Sequence, residues 1–299
     1  MIRRPQNWVF LGDSLTEGIG SARLSYVGEL AARLRETEMC RPEPQRRAIH
    51  EFRLRQVNAD GFSPFVRFNT AGLLKTDEPS VQPALWLWNL ACEGRTIESD
   101  LEWLPVLENL RPERIFIFRG SLENIVRPSG LRDNRWPWWL PKSWHGYAAM
   151  DPRCYYSSTW WRRIKQQAVD ALKQRVRLAL LRQRPGTTLM SEEEWLDHYR
   201  NLLRSLHPLA TRIHLLGLLP VDDDKFPGSL VKFLHVNEVL RALAGSTGTQ
   251  FIDWHSDFAE AMRRRPLSYL DGFHPNDSGV EVLANLLLKH LSEDGTQTI

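Results

Sequence analysis

Short apolar runs alternate with longer stretches of helical periodicity along most of the chain. Five runs rich in branched and aromatic residues predict strands. They are Asn7–Gly12, Leu85–Ala91, Arg114–Arg119, Arg212–Leu218 and Thr249–Trp254. Six stretches with apolar positions three and four residues apart predict helices at Ala22–Arg35, Ile97–Leu110, Thr159–Arg184, Glu192–Leu206, Val231–Ala244 and Asp277–His290. This alternation predicts an α/β fold in which helices cover both faces of a parallel sheet.

A sharp turn is predicted where the first strand ends. The apolar run Trp8–Leu11 is followed by Gly12-Asp13-Ser14-Leu15-Thr16-Glu17-Gly18, and Gly12 allows the backbone to turn. A serine at such a turn has its hydroxyl at the carboxyl edge of the sheet, where ligands of open α/β sheets bind. Because Gly, Asp and Ser are also common in ordinary loops, this run alone does not indicate a nucleophile.

The C-terminal part of the chain supplies a matching base and acid. Asp271 and His274 stand three residues apart, just before the predicted helix Asp277–His290. Histidine titrates near neutrality and can take the proton of a serine hydroxyl, which is otherwise a poor nucleophile. A carboxylate beside the imidazole fixes its tautomer and stabilises the imidazolium. Together with Ser14, these two residues predict a triad for acyl transfer.

Three segments resemble sequence blocks of the SGNH hydrolases, also called the GDSL family of esterases and lipases. Gly12-Asp13-Ser14-Leu15 resembles the first block, which carries the nucleophile. Asp271-Gly272-Phe273-His274-Pro275 resembles the last block, which carries the acid and the base. Asn89-Leu90-Ala91-Cys92-Glu93-Gly94-Arg95-Thr96 resembles the second block, whose glycine, here Gly94, donates a backbone N–H to the oxyanion hole.

The third block of the family reads Gly-x-Asn-Asp, and its asparagine side chain is another oxyanion donor. At the matching strand end this chain reads Arg119-Gly120-Ser121-Leu122-Glu123-Asn124, which has at least one residue more. We assign the donor to Asn124, because it follows the strand Arg114–Phe118 and is expected at the carboxyl edge of the sheet. The resemblance therefore implies the catalytic residues Ser14, Asp271 and His274, with an oxyanion hole made by Ser14, Gly94 and Asn124.

The resemblance also implies a fold and a reaction. The expected fold is a flavodoxin-like three-layer αβα sandwich with a five-stranded parallel sheet. The expected reaction is serine-dependent hydrolysis of a small-molecule or carbohydrate acyl ester, such as an O-acylated sugar, through an acyl-enzyme. Acyl transfer to a sugar or small-molecule acceptor would use the same triad. A binding or assembly protein without catalysis is the alternative from another class. We expect no metal and no cofactor, because acyl transfer by a serine requires neither.

Composition is consistent with one elaborated α/β domain over residues 1–299. The chain is 42% hydrophobic and can bury a sizeable core, yet no apolar run approaches the ~18 residues of a membrane span. Met1-Ile2-Arg3-Arg4-Pro5 runs directly into the first strand, so we expect no signal peptide. Cys40, Cys92 and Cys154 are too few and too scattered for a disulfide framework or a zinc site. We therefore expect a cytoplasmic protein.

Two segments exceed the family core and are predicted as insertions, at about residues 36–82 and 127–184. The second, called here the basic insertion, contains thirteen Lys or Arg, three Asp and no Glu. Its formal charge is +10, whereas the whole chain carries +3. It also holds six of the twelve tryptophans: Trp136, Trp138, Trp139, Trp144, Trp160 and Trp161.

Three interpretations of the basic insertion remain open. It can form a lid or rim of the site, with tryptophan rings stacked on the substrate and arginines that reach an anion. It can make peripheral contact with a membrane through an apolar stripe flanked by basic residues. Alternatively, that stripe packs on the protein's own core and the charges are solvated. The stripe consists of Trp161, Ile164, Ala168, Leu172, Val176 and Ala179. We do not expect nucleic acid as a partner, because no recognised binding motif accompanies the charge.

Overall fold

Strands and helices alternate in the computed structural model, which describes residues 6–19, 21, 25–36, 85–130, 137–146, 149–152, 159–264, 269 and 271–293. The strands are β1 (Gln6–Gly12), β2 (Leu85–Asn89), β3 (Arg114–Phe118), β4 (Arg127–Pro128), β5 (Gly186–Thr187), β6 (Arg212–Leu216) and β7 (Gln250–Ile252). The α-helices are α1 (Ser14–Glu17), α2 (Tyr26–Glu36), α3 (Leu104–Leu110), α4 (Ser121–Asn124), α5 (Trp160–Gln183), α6 (Glu192–Leu206), α7 (Ser229–Thr247), α8 (His255–Arg264) and α9 (Asp277–Glu293). Short 3₁₀ helices cover Ile97–Trp103 and Lys142–Trp144.

Five strands form one parallel sheet in the order β2-β1-β3-β6-β7. The predicted α/β fold with a five-stranded parallel sheet is confirmed, and the observed strand ends lie within two residues of the predicted ones. From β1 the chain moves outward to β2 and then returns to β3 on the other side of β1. The strand order therefore reverses between β1 and β3, and a crevice opens beyond the carboxyl ends of these strands.

Aromatic side chains fill the centre of the sheet. Phe10, Phe116 and His214 occupy facing positions on β1, β3 and β6. Their rings stack, with centroids 4.6 Å apart at both contacts. Residues Val9–Leu11 and Ile115–Phe118 are fully buried, as expected for a parallel sheet that is covered on both faces. This packing fixes the strands whose carboxyl ends carry the candidate site.

The structure changes the helix prediction in two ways. The predicted helix Ile97–Leu110 is a 3₁₀ helix that continues as α3. Pro105 lies in the first turn of α3, where its missing N–H breaks no hydrogen bond within the helix. The sequence pattern also does not predict α1, α4 and α8. The first two are single turns, which show no helical periodicity, and α8 buries only His255 and Phe258.

Within the basic insertion, described residues that precede α5 pack against this helix. Leu140, Met150 and Leu180 form a small cluster that is separate from the main core. β4 and β5 pair antiparallel where this segment leaves and rejoins the fold. Of the other predicted insertion, about 36–82, only residue 36 is among the described residues. The organisation as one domain with two insertions stays a prediction.

Within the described ranges, no helix is both long enough and apolar enough to cross a lipid bilayer.

Gly12→Ala should destabilise the protein, because the turn after β1 has no room for a methyl group. A Cβ at Gly12 would lie 2.1 Å from the Thr16 Oγ1 atom and 2.4 Å from the Thr16 Cβ atom. Both residues are buried. Overpacking of this kind costs about 1–3 kcal/mol in the free energy of unfolding. Urea unfolding followed by circular dichroism measures the change.

Gly245→Ala is the matched control for this substitution. Gly245 lies inside α7, and a Cβ there would meet no atom of the described residues within 4 Å. The free energy of unfolding of the control variant should therefore rise by roughly 0.5–1 kcal/mol, because alanine stabilises a helix interior more than glycine does. Equal changes in the free energy of unfolding of the two variants would contradict a tight turn at Gly12.

Candidate active site

Ser14 lies at the turn between β1 and α1. The Asp13 carboxylate accepts a hydrogen bond from the backbone N–H of Leu15 at 3.0 Å and caps the helix. Beneath this turn the hydroxyl of Thr16 is 3.2 Å from that of Tyr26, and both residues are buried. The polar neighbours thus fix the backbone, while the Ser14 side chain stays partly exposed at the carboxyl edge of the sheet.

The structure brings Ser14, His274 and Asp271 into one hydrogen-bonded chain. Ser14 Oγ lies 2.9 Å from His274 Nε2, and His274 Nδ1 lies 2.6 Å from Asp271 Oδ2. The other oxygen of Asp271 accepts the backbone N–H groups of Phe273 and His274 at 2.9 and 2.6 Å. A carboxylate on Nδ1 assigns the imidazole proton to that nitrogen, so Nε2 is free to accept the Ser14 hydroxyl.

Two residues with backbone N–H groups at the site, Ser14 and Gly94, line the same cavity. Ser14 is the first residue of α1, where intrahelical acceptors are missing. Gly94 lines the cavity beside Ser14 and has φ +69°, a conformation that favours glycine. Among the residues that the structure describes, no hydrogen-bond acceptor is found for either N–H. Both groups are therefore available to a ligand atom.

The structure does not bring Asn124 to the cavity. Its side-chain amide donates to the carbonyl of Gly120 at 2.9 Å, one turn back along α4. Asn124 is buried, and the α4 residue that lines the cavity with Ser14 and Gly94 is Leu122. The assignment of Asn124 as oxyanion donor therefore has no support from the geometry. If no residue is inserted, the third block matches Gly120-Ser121-Leu122-Glu123, and Leu122 then stands where the family has its asparagine.

A buried ion pair fixes the loop that carries Gly94. The guanidinium of Arg119, directly after β3, binds the carboxylate of Asp100 through Nε at 2.7 Å and Nη2 at 2.5 Å. Its Nη1 atom donates to the carbonyl of Arg95 at 2.7 Å. Both side chains of the pair are fully buried. The sequence analysis missed this pair, although an arginine at the end of an apolar strand indicated that Arg119 would need a buried partner.

Two further carboxyl groups lie near Arg119. Glu123 is 1% exposed, and one of its carboxyl oxygens accepts the N–H of Ile97 at 2.8 Å. The other oxygen has no hydrogen-bond partner among the residues that the structure describes. Burial raises the pKa of Glu123 to about 7, although the positive charge of Arg119 opposes this rise. Burial also raises the pKa of Asp13, again against the effect of Arg119. Burial thus shifts the pKa of both carboxyl groups in the direction that favours their protonated forms.

A cavity of about 320 Å³ opens above Ser14 and His274. One wall comes from the basic insertion and consists of Arg127, Ala149, Asp151, Pro152 and Lys173. The Arg127 guanidinium binds Asp151 through Nε at 3.0 Å and Nη2 at 2.5 Å, and Lys173 Nζ donates to the Ala149 carbonyl at 2.7 Å. This placement agrees with the rim interpretation, although none of the described tryptophans lines the cavity.

A loop with three adjacent aspartates, Asp222–Asp224, is called here the acidic loop and supports the segment that carries His274. The N–H of Asp222 donates to the carbonyl of Gly272 at 2.9 Å. The carboxylate of Asp223 accepts the N–H of Gly228 at 2.9 Å, just before α7. The Asp223 carboxylate thus stabilises the turn before α7, while the backbone of Asp222 binds the segment that carries His274. Within the described part of the chain, no group of three or more His, Cys, Asp or Glu residues is placed to hold a metal ion.

Comparisons with known proteins place this geometry in context. A family model described as the GDSL-like lipase/acylhydrolase family matches residues 10–282. A catalytic variant of an acetylxylan esterase from Geobacillus stearothermophilus has a TM-score of 0.53 at 14% identity, over 97% of this chain and 95% of that one. An α/β hydrolase from the metagenome of Lake Arreo, Spain, has a TM-score of 0.52 at 16% identity, over 98% of this chain and 97% of that one. At such identities the two structures show a shared fold alone. No curated protein matches the sequence.

Glu123→Gln should remove a pH dependence of folding stability. The pKa of Glu123 is about 7 in the folded protein and near 4.5 in the unfolded chain, so the folded state binds the proton more tightly. This stabilisation is complete below about pH 4.5 and is lost as the pH rises to about 7, with a steepest slope of about 1.4 kcal/mol per pH unit. The glutamine amide mimics the protonated carboxyl and keeps an acceptor for the Ile97 N–H.

Urea unfolding of both proteins at several pH values between 4.5 and 8 tests this prediction. The free energy of unfolding of the wild type should fall more steeply with rising pH than that of Glu123→Gln. The two curves should run parallel above about pH 8, where Glu123 is ionised in both states. Curves that run parallel over the whole range would contradict the buried, protonated state of Glu123.

Proposed function

The chain belongs to the GDSL-like lipase/acylhydrolase family, and on that premise we propose that it is a serine esterase with Ser14 as its nucleophile. The observation that carries the proposal is the hydrogen-bonded chain from Ser14 through His274 to Asp271. A binding protein without catalysis would not require a serine hydroxyl, an imidazole and a buried carboxylate to stand in this order. The geometry therefore favours an enzyme over the binding alternative.

Each step of the proposed reaction uses a contact described above. Ser14 Oγ attacks the carbonyl carbon of the ester while His274 Nε2 takes the hydroxyl proton. Asp271 stabilises the imidazolium, because its carboxylate accepts the Nδ1 proton. When the tetrahedral intermediate collapses, His274 returns the proton to the departing alcohol oxygen and the acyl group remains on Ser14. Water then attacks the acyl-enzyme by the same route and releases the acid.

The negative oxygen of the tetrahedral intermediate requires hydrogen-bond donors. We assign this role to the backbone N–H groups of Ser14 and Gly94. A third donor from a side chain is expected in the family, but the α4 residue that lines the cavity is Leu122, which has no donor. One oxyanion donor lowers the activation barrier by about 2.7–4 kcal/mol, so an enzyme with two donors is expected to be slower than one with three.

The cavity wall provides an argument about the substrate. The cavity wall carries the charged groups of Lys173 and Asp151 as well as the apolar rings of Phe226 and Phe273. We propose a polar acyl ester, such as an O-acylated sugar, and the fold shared with an acetylxylan esterase is consistent with this choice. Acyl transfer to a sugar acceptor would use the same residues and would appear as an acylated product in place of the free acid.

Ser14→Ala should abolish turnover and leave the fold intact, because the hydroxyl acts only in the chemistry. Loss of a serine nucleophile lowers kcat by about 10⁶-fold. A panel of p-nitrophenyl acyl esters and acetylated oligosaccharides measures the activity, and thermal unfolding checks the fold. Ser205→Ala, a partly exposed position on α6, is the control and should keep full turnover. Equal activity of wild type and Ser14→Ala would contradict the mechanism.

Leu122→Asn should raise kcat, because it places an amide donor on the cavity side of α4. The gain should approach the roughly 10²-fold that one oxyanion donor contributes. Leu122→Ala is the matched control, since it removes the leucine without adding a donor and should not raise kcat. If the folded Leu122→Asn enzyme turns over no faster than the alanine variant, the two-donor assignment is wrong. The ester panel under saturating substrate measures both variants.

A further inference from the structure

The helix α5 has an apolar face directed toward solvent. Trp161 is 72% exposed, Leu172 is 52% exposed and Ile164 is 44% exposed. With Ala168, which is also exposed, they lie along one side of the helix at helical spacing and are called here the exposed face. A helix that packs on a globular core normally turns its apolar side inward. The interpretation in which this part of the stripe packs on the protein's own core is therefore wrong.

The opposite side of α5 is polar and buried. Arg177 is 1% exposed, and its guanidinium donates to the carbonyls of Lys225 at 2.6 Å and Val126 at 3.0 Å. Gln174 donates to the same Lys225 carbonyl at 2.7 Å. If the helix rolled to bury its apolar side, these bonds would break and Arg177 would lose its buried partners, which is costly for a charged group. The outward direction of the exposed face is thus fixed by the fold.

Positive charge surrounds the exposed face. α5 contains seven Lys or Arg and a single acidic residue, Asp170, which is buried. Its exposed basic residues are Arg162, Arg163, Lys165, Arg175 and Arg182. Trp138 and Trp139, 94% and 51% exposed, belong to the segment whose Leu140 packs near Leu180 of α5. Indole rings and aliphatic side chains beside lysine and arginine are the composition of helices that lie in an anionic membrane surface.

We propose that the exposed face of α5 binds peripherally to the surface of an anionic lipid bilayer. Its apolar side chains would enter the headgroup region while the flanking cations contact lipid phosphates. Charge selects this occupant over a second copy of the chain. In a twofold dimer through this face, Arg162 and Lys165 would approach the same cations of the partner, which is unfavourable. The helix would lie on the bilayer and not span it, in agreement with its charge.

Vesicle co-sedimentation tests this proposal without using turnover, so its outcome is independent of the esterase proposal. The wild type should sediment with phosphatidylcholine vesicles that contain phosphatidylglycerol and stay in the supernatant with phosphatidylcholine alone. About 0.5 M NaCl should weaken binding, because it screens the cations. Trp161→Ser combined with Ile164→Ser should lower the partition coefficient by at least about tenfold, since two large apolar groups are lost.

Val231→Ser combined with Leu234→Ser is the matched control. These residues are 70% and 47% exposed on α7, so the control removes similar apolar surface from another helix and should bind as the wild type does. Thermal unfolding checks that both double variants fold. The proposal is overturned if the wild type binds neither kind of vesicle, if it binds both equally, or if the two variants lose binding alike. It is also overturned if light scattering shows a dimer that only the α5 variant dissociates, because the face would then hold a second copy.

Discussion

The geometry of the candidate site depends on one buried ion pair, between Arg119 and Asp100. A guanidinium that is buried away from water must keep its hydrogen-bond partners, because an unpaired buried charge costs several kcal/mol. Arg119 therefore holds the Asp100 carboxylate and the Arg95 carbonyl against the end of β3. The hydroxyl of Tyr199 on α6 donates to the Arg119 carbonyl at 3.0 Å and ties a second helix to this point. Gly94 immediately precedes Arg95, so the pair also fixes the distance between Gly94 and Ser14.

The sheet provides the frame for this constraint. Because the strand order reverses between β1 and β3, the turn that carries Ser14 and the one that begins with Arg119 lie next to each other at the carboxyl edge. His274 reaches Ser14 from the segment before α9, which the acidic loop at Asp222 supports through the Gly272 carbonyl. The catalytic proposal thus rests on the sheet, whereas the basic insertion contributes a cavity wall and the outward face of α5.

Much of this arrangement could be predicted from sequence, because the responsible signals are local. Five apolar runs gave the strands, and the spacing of Asp271 and His274 indicated how acid and base meet Ser14. The position of Asn124 could not be predicted, since a shift of two residues along a single helical turn decides whether a side chain faces the cavity or its own backbone. The pairing of Arg119 with Asp100 was also hidden, because a chain with 39 basic and 36 acidic residues offers many equivalent pairs. Only the folded loop selects one of them.

The central claim is that Ser14 is a nucleophile activated by His274. The most direct measurement is reaction with a fluorophosphonate, followed by peptide mass spectrometry to locate the modified residue. Our account predicts one modified residue, Ser14, in the wild type, and reaction slowed by about 10³-fold or more in His274→Ala, because the serine then lacks its base. Modification of a different residue, or equal rates in wild type and His274→Ala, would contradict it.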